Sequence, residues 1–166
     1  MRILVTGTEG YIGSLLAPIL IQRGHEVVGI DTGYYRDGWL YSRKDVTPIQ
    51  PMTINKDLRD IDKSDLEGFD AVVHLAELSN DPLGQNSPEV TFKINHLGTV
   101  RIAELCKEVG IHRFVYTSSC SVYGAGTNDF LDETSATNPL TAYAKCKIGV
   151  ENDVSKLADD NFSPVF

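Results

Sequence analysis

Short, nearly continuous apolar runs recur along the chain and are separated by longer amphipathic segments. Runs of this kind are typical of strands that are buried on both faces of a parallel sheet. They predict six strands, at residues 3–5, 25–31, 52–54, 69–76, 113–117 and 162–166.

Helices are predicted between these strands. Apolar residues recur at helical spacing over 88–109, and Gly110 follows at the position of a C-cap. Further helices are predicted at 11–22 and 141–158, with a short helical turn at 63–66. The polar segments 32–51 and 124–139 are predicted to be surface loops.

The regular alternation of strand and helix predicts a single α/β domain with a doubly wound parallel sheet and three α/β/α layers. Such a sheet would have the strand order 3-2-1-4-5-6, with the loops that bind ligands at its carboxyl edge. Because the sequence ends on a predicted strand that nothing covers, we expect the domain to be incomplete at its C-terminal end.

The segment between the first strand and the first helix reads TGTEGYIG over residues 6–13. A glycine turn that leads into a helix can hold an anion, because backbone N–H groups and the helix dipole converge there. Gly7 would permit the tight turn, Gly10 the approach of a pyrophosphate, and Gly13 close packing of the helix. The spacing is GxxGxxG rather than GxGxxG, and an ordinary glycine-rich turn is the alternative.

Asp31 ends the second predicted strand, 18 residues after Gly13. A carboxylate there can accept hydrogen bonds from both hydroxyls of an adenosine ribose and would repel a 2′-phosphate, which favours NAD over NADP. A solvated acidic residue at a strand end is the alternative. Arg36, Arg43 and Lys44 could reach a phosphate, so the preference stays open.

Tyr143 and Lys147 are four residues apart in the last predicted helix, and therefore lie on one face about a turn apart. A nearby ammonium favours the phenolate and lowers the pKa of the phenol, so Tyr143 could act as a general acid and base. Serines follow the fifth strand in SSCS at 118–121, where a hydroxyl could polarise a substrate oxygen. An exposed helix turn and a serine-rich loop are the alternatives.

The composition excludes some classes of binding partner and indicates the cellular compartment. The net charge of −8 and the pI near 4.9 argue against binding to nucleic acid or to an anionic membrane. Three cysteines without CxxC spacing and four scattered histidines indicate neither a disulfide framework nor a metal site. The cysteine usage favours a reducing cytoplasm, and no apolar run is long enough to cross a membrane.

Together these segments resemble the extended short-chain dehydrogenase/reductase family, especially its NAD-dependent nucleotide-sugar epimerase/dehydratase branch. The matching segments are TGTEGYIG at 6–13, Asp31, DLRD at 57–60, HLA at 74–76, INHLGT at 94–99, SSCSVYG at 118–124 and YAKCK at 143–147. The resemblance implies a Rossmann-type fold in which residues 1–166 are an NAD-binding domain, with the substrate-binding domain outside this sequence.

The resemblance also implies roles for individual residues. Ser119, Tyr143 and Lys147 match the catalytic group of the family, in which the lysine also holds the nicotinamide ribose. The matches to cofactor contacts are Gly7, Gly10, Tyr11, Ile12, Gly13, Asp31, Asp57, Leu58, Leu75, Ala76 and Asn95, together with Tyr143 and Lys147. The Asp57 carboxylate is expected near the adenine amine, and Asn95 at a strand–helix junction unless it is an ordinary polar residue inside a helix. His74 is expected to be packed in the sheet.

Two positions depart from the pattern of the family. Cys120-Ser121 stands where dehydratases of this branch carry an Asp-Glu pair, which disfavours the elimination of water, and Glu77 stands where many relatives have a small residue. The absence of that Asp-Glu pair favours an epimerase over a dehydratase. The resemblance implies that the enzyme uses NAD, acts on a sugar nucleotide and forms a homodimer through helices 88–109 and 141–158. A reductase or dehydrogenase of a non-sugar carbonyl and a cofactor-binding module without turnover are the alternatives.

Overall fold

The computed structural model of the 166-residue chain describes residues 1–36, 49–79, 81–125 and 130–166. Trp39, Arg43 and Lys44 lie outside the described residues, and so does part of each predicted loop, 32–51 and 124–139.

The described residues form one parallel sheet of six strands in the order β3-β2-β1-β4-β5-β6. The strands are β1 (Arg2–Thr6), β2 (Glu26–Asp31), β3 (Met52–Asn55), β4 (Ala71–His74), β5 (Arg113–Tyr116) and β6 (Ser163–Val165). The chain moves outwards from β1 in one direction and then, from β4 onwards, in the other. The predicted strand order and doubly wound topology are therefore confirmed, and the switch point lies between β1 and β4.

The helices connect the strands. They are α1 (Gly13–Gln22), α2 (Lys63–Leu66), α3 (Asp81–Asn86), α4 (Pro88–Thr91), α5 (Thr99–Glu108) and α6 (Ala142–Ser155), with 3₁₀ turns at Leu58–Asp60 and Cys120–Tyr123. The positive φ of Gly110 agrees with the predicted C-cap that follows α5.

The pleat of the strands divides the apolar residues between two cores. Leu4, Val72 and Phe114 lie side by side in the register of β1, β4 and β5, and all three face the core that α5 and α6 cover. Their neighbours Ile3 and Val5 point the other way and pack in the core that includes α1. Helices on both faces of the sheet give the three predicted layers.

The predicted helix over 88–109 is interrupted in the structure. A π-helical segment, Phe92–Gly98, lies between α4 and α5. Gly98 packs directly against Leu58 of the first 3₁₀ turn, where a side-chain carbon on the glycine would overlap that leucine. The wide turn thus brings residues of the helix close to the carboxyl edge of the sheet.

Candidate active site

The carboxyl ends of the central strands open into a cavity of about 780 Å³. Its lining comes from the glycine turn at 6–13, the end of β2, the 3₁₀ turn Leu58–Asp60, the segment that follows β4, and α6. Most of the predicted site residues line this cavity, namely Gly7, Gly10, Tyr11, Ile12, Gly13, Asp31, Asp57, Leu58, Leu75, Ala76, Tyr143 and Lys147. Asn95 and Ser119 do not line the cavity. Each contacts a residue that does, Leu78 for Asn95 and Tyr143 for Ser119.

The glycine turn packs so tightly that two of its glycines have no room for a side chain. Gly7 has a φ of 76°, and a Cβ there would lie 2.8 Å from the backbone nitrogen of Ala76. A Cβ on Gly13 would overlap the carbonyl oxygen of Gly7. Around Gly10 there is more space, since the nearest atom to a Cβ would be the Gly7 carbonyl oxygen at 3.3 Å. These contacts agree with the tight turn predicted at Gly7 and the close packing predicted at Gly13, while the approach of a pyrophosphate at Gly10 stays a prediction.

Helix α1 begins at Gly13 without a side-chain cap. The first N–H groups of a helix have no partner within the helix and need one from a side chain, water or a ligand. Tyr11 and Ile12, at the entrance of the helix, are exposed at the rim of the cavity. The glycine turn and the start of α1 are therefore where we expect an anion to bind.

Asp31 ties the end of β2 to the glycine turn. Its carboxylate accepts hydrogen bonds from the backbone N–H groups of Glu9, at 2.9 Å, and Gly33, at 2.7 Å. Glu9 is buried and forms an ion pair with Arg36, with 2.5 Å between Oε2 and Nε. Arg36, which the sequence left as a possible phosphate ligand, is thus engaged by a carboxylate.

Asp57 begins the 3₁₀ turn Leu58–Asp60 by accepting a hydrogen bond from the backbone N–H of Arg59. It also pairs with the Arg59 guanidinium, with 2.7 Å between Oδ2 and Nη2. These hydrogen bonds hold the pKa of Asp57 below its usual range. An ionised carboxylate therefore lies in the cavity wall beside Leu58.

The buried side chains of Thr6 and His74 hold the segment that follows β4. The Thr6 hydroxyl oxygen accepts hydrogen bonds from the backbone N–H groups of Leu75, at 3.1 Å, and Ala76, at 3.2 Å. The same hydroxyl is 2.7 Å from Nδ1 of His74, whose Nε2 is 2.9 Å from the Thr99 hydroxyl. His74 is packed in the sheet as predicted, and its neighbour Thr6 fixes two residues of the cavity wall.

Asn95 fastens the same segment from the π-helical side. Its side-chain amide is fully buried, donates to the carbonyl oxygen of Leu78 and accepts from the N–H of Leu78, both at 2.9 Å. The prediction that Asn95 holds a strand–helix junction agrees with these contacts. Its predicted contact with a cofactor would have to be indirect, because Leu78 rather than Asn95 faces the cavity.

Tyr143 lies in the first turn of α6, which Thr141 caps by accepting a hydrogen bond from the N–H of Ala144. Ser119 lies beyond β5 and begins the second 3₁₀ turn. The Ser119 side chain lies close enough to the Tyr143 phenol to lower its pKa, against the larger opposing effect of burial. The structure thus brings the predicted serine and tyrosine together.

Lys147 lies one turn after Tyr143 and is only 2% exposed. Its ammonium nitrogen is 5.1 Å from the centre of the Tyr143 ring and 4.3 Å from that of Tyr116. It donates hydrogen bonds to the carbonyl oxygen of Thr117 and to the carboxylate of Glu77. Tyr143 and Lys147 therefore lie together where α6 lines the cavity, and Ser119 is next to Tyr143.

The predicted lowering of the Tyr143 pKa is wrong for the chain as it stands. Burial raises the pKa of this phenol, and the negative charge of Glu77 raises it further. The prediction counted Lys147 as an isolated positive charge, whereas the structure pairs that charge with Glu77.

Glu77 and Tyr116 are the functional residues that the sequence reasoning missed. Glu77 drew attention only as a carboxylate where a small residue is common, and Tyr116 only as part of a strand. The Tyr116 hydroxyl donates to Glu77 Oε1 at 2.6 Å, and Lys147 contacts Glu77 Oε2 at the same distance.

In the part of the chain that the structure describes, no cluster of histidine, cysteine or acidic side chains could hold a metal ion. Nor does any helix in the described ranges combine the length and apolarity needed to cross a membrane.

Comparison with known proteins places this geometry in a family. The profile of the NAD dependent epimerase/dehydratase family matches residues 3–166. Protein CapI of Staphylococcus aureus is 34% identical over 155 residues, which are 89% of this chain and 46% of CapI. A UDP-glucose 4-epimerase of Mycolicibacterium smegmatis is 33% identical over 156 residues, which are 91% of this chain and 49% of that protein. The chain spans about half the length of the curated relatives it matches.

A solved structure agrees with the sequence matches. UDP-glucose-4-epimerase from Stenotrophomonas maltophila, determined with bound NAD and formylated UDP-arabinopyranose, superposes with a TM-score of 0.81 at 30% identity. The match covers 95% of this chain and 48% of the epimerase. The fold, the glycine turn, the serine–tyrosine–lysine group and the family match agree, and the chain belongs to the NAD-dependent epimerase/dehydratase family.

Proposed function

We propose that this chain binds NAD in the cavity and supplies the acid–base group of a sugar-nucleotide epimerase. The observation that carries the proposal is that one continuous cavity joins the glycine turn to Tyr143 and Lys147. An anion site at one wall and an acid–base pair at the other are what a dinucleotide enzyme requires.

The residues present fit NAD. The absence of a side chain at Gly10 leaves the backbone of the turn accessible to a diphosphate, and no side chain caps the start of α1. Asp31 would accept the ribose hydroxyls of the adenosine half, and Asp57 and Leu58 would contact its adenine. The nicotinamide half would lie along Leu75 and Ala76.

The chemistry divides between the cofactor and the chain. When bound, NAD accepts a hydride from a carbinol carbon and can return it. Tyr143 would take the proton of the substrate hydroxyl and give it back, while Ser119 donates a hydrogen bond to the same oxygen. Lys147 would contact the nicotinamide ribose and favour the phenolate. Return of the hydride to the opposite face of the sugar carbon would give the epimer.

Two observations favour epimerisation over the other reactions of the family. Cys120 and Ser121 lack the acid and base that elimination of water needs. The relatives above include UDP-glucose 4-epimerases, one of them determined with bound NAD. Because the chain spans about half the length of these relatives, the substrate is proposed as a sugar nucleotide without further detail.

We also propose that the protein is a homodimer in which the helices at 88–109 and 141–158 meet those of a second copy. Val90, Phe92 and Leu97 are exposed apolar side chains on the first of these segments, which favours a partner there. Light scattering gives the mass directly, and a Leu97→Glu variant is expected to dissociate.

Calorimetric titration of the chain with NAD, together with turnover assays of the full-length gene product on UDP-sugars, tests the enzymatic proposal. Tyr143→Phe should reduce turnover by at least about a hundredfold, as expected for the loss of a general acid–base group, with NAD affinity nearly unchanged. Tyr123→Phe is the matched control, because the Tyr123 hydroxyl donates to the carbonyl oxygen of Asp132.

The possible outcomes separate the alternatives. Net formation of NADH from a non-sugar alcohol would identify a dehydrogenase, and NAD binding without turnover would identify a binding module. Full activity of Tyr143→Phe would remove the acid–base assignment.

A further inference from the structure

A buried carboxylate faces the predicted catalytic lysine. The Glu77 side chain is 5% exposed and lies between two partners, with Oε2 2.6 Å from the Lys147 ammonium and Oε1 2.6 Å from the Tyr116 hydroxyl. Glu77 follows Ala76 in the cavity wall, and Lys147 is 2% exposed. Both members of this ion pair are thus removed from water.

Neither charge would persist alone in this position. An isolated buried charge pays a large desolvation penalty and tends to become neutral. Burial lowers the pKa of Lys147, and the Glu77 carboxylate opposes that change. The acid–base chemistry, however, requires the positive charge of Lys147 beside Tyr143.

We propose that Glu77 is the counterion of Lys147, a positioning residue that keeps the buried ammonium protonated and directed at the Tyr143 end of the cavity. Tyr116 fixes the carboxylate by donating to its second oxygen. The functional consequence of the ion pair rests on the proposed function of Tyr143 and Lys147.

Other groups near the ammonium do not take the place of Glu77. The titratable side chains that face Lys147 are His74 from β4, Glu77 after it, Tyr116 from β5, and Tyr143, Cys146 and Glu151 from α6. Of these, His74 is held neutral by burial, and Glu151 accepts a hydrogen bond from the Ser118 hydroxyl. Glu77 is the carboxylate in direct contact with the ammonium among the described residues.

The ion pair would also determine the net charge beside Tyr143. With Glu77 present, the net charge of the pair is zero, and the phenol of Tyr143 keeps its proton until a substrate or cofactor changes the balance. A neutral residue at position 77 would leave Lys147 to lose its proton, and with it the group that favours the Tyr143 phenolate.

The test is a titration of Lys147 in the chain without cofactor. Lysine labelled with ¹³C at Cε is followed by NMR across pH, and the Lys147 signal is assigned by its loss in Lys147→Met. In Glu77→Gln the titration midpoint of Lys147 should fall by about 1 to 3 pH units relative to the unsubstituted chain.

Two variants serve as matched controls. Glu77→Asp keeps the negative charge, so its Lys147 midpoint should stay closer to that of the unsubstituted chain than that of Glu77→Gln. Glu151→Gln removes a nearby carboxylate that contacts Ser118 instead, and should move the midpoint by less than about 0.5 pH units. An unchanged midpoint in Glu77→Gln, or an equal shift in Glu151→Gln, overturns the proposal.

A folding defect would also be informative. If Glu77→Gln does not fold, the double variant Glu77→Gln/Lys147→Met should fold again, because it leaves no unpaired charge. Loss of folding in both variants overturns the proposal. Because the titration needs no cofactor, its result is independent of whether NAD binds. In the full-length gene product, Glu77→Gln should also move the alkaline limb of the turnover profile to lower pH.

Discussion

Acid should destabilise this chain through a single buried histidine well before its carboxylates are protonated. His74 is fully buried, and its two ring nitrogens contact the hydroxyls of Thr6 and Thr99. Because Thr6 already accepts bonds from Leu75 and Ala76, its own proton is available for Nδ1, and the neutral imidazole then donates from Nε2. A second ring proton would break this arrangement.

The magnitude follows from the titration of His74. Burial, reinforced by the charge of Lys147, lowers the pKa of His74 from 6.5 to about 3. Between these values the unfolded chain binds a proton that the folded chain does not, so stability falls as the pH decreases below 6.5. From pH 7 to pH 5 this amounts to about 2 kcal/mol, at 1.36 kcal/mol per pH unit over roughly 1.5 units.

Urea denaturation of the chain at pH 7, 6 and 5 measures this loss. His74→Gln should be less stable at pH 7 but should lose less than about 0.5 kcal/mol over the same interval, because its side chain does not titrate. His112→Gln, at an exposed position, should retain the full dependence of the unsubstituted chain. If His74→Gln remained as sensitive to pH as the unsubstituted chain, the buried imidazole would not be the source.

Three further substitutions test the cavity. Gly13→Ala should lower the free energy of unfolding by about 1 to 3 kcal/mol, because its Cβ would overlap the Gly7 carbonyl oxygen. The same variant should no longer bind NAD in calorimetry, and an unchanged NAD affinity would contradict the close packing. Asn95→Leu leaves the N–H and carbonyl groups of Leu78 unpaired, and the free energy of unfolding should fall by about 1 to 3 kcal/mol for each group. Urea denaturation measures this loss, and a smaller loss would mean that water replaces the amide. Asp31→Asn should reduce the preference for NAD over NADP by about tenfold or more in parallel titrations, and an unchanged ratio would exclude Asp31 as its source.

Much of the fold could be predicted because strands buried on both faces have a local signal. The apolar runs located the strands, and the regular alternation of strands with helices predicted the strand order. Helix α3 (Asp81–Asn86) was missed because Pro82 and Gly84 are poor helix formers, and tertiary packing decides there. The π-helical segment was also missed, because one wide turn changes the spacing of apolar residues over 88–109 too little to be recognised in the sequence.

In the site, too, the features set by local sequence were predicted and those set by long-range contacts were not. The steric demands on Gly7 and Gly13 come from the turn itself and from its packing against neighbouring backbone, so the motif predicted them. The partners of Glu77 lie 39 and 70 residues away in the sequence, at Tyr116 and Lys147, and no local pattern announces them. The error over the acidity of Tyr143 arose from this missing long-range contact.

The wide turn at Phe92–Gly98 determines how this helix would respond to a change in length. In a regular α-helix, deleting one residue rotates every later side chain by about 100° around the axis. A π-helical turn already contains one surplus residue, and a deletion there restores regular geometry without turning α5 away from the sheet. Such a deletion would move the Asn95 amide away from Leu78 and break both of their hydrogen bonds. Homologues shortened here would keep their core but would need another side chain to hold the cavity wall.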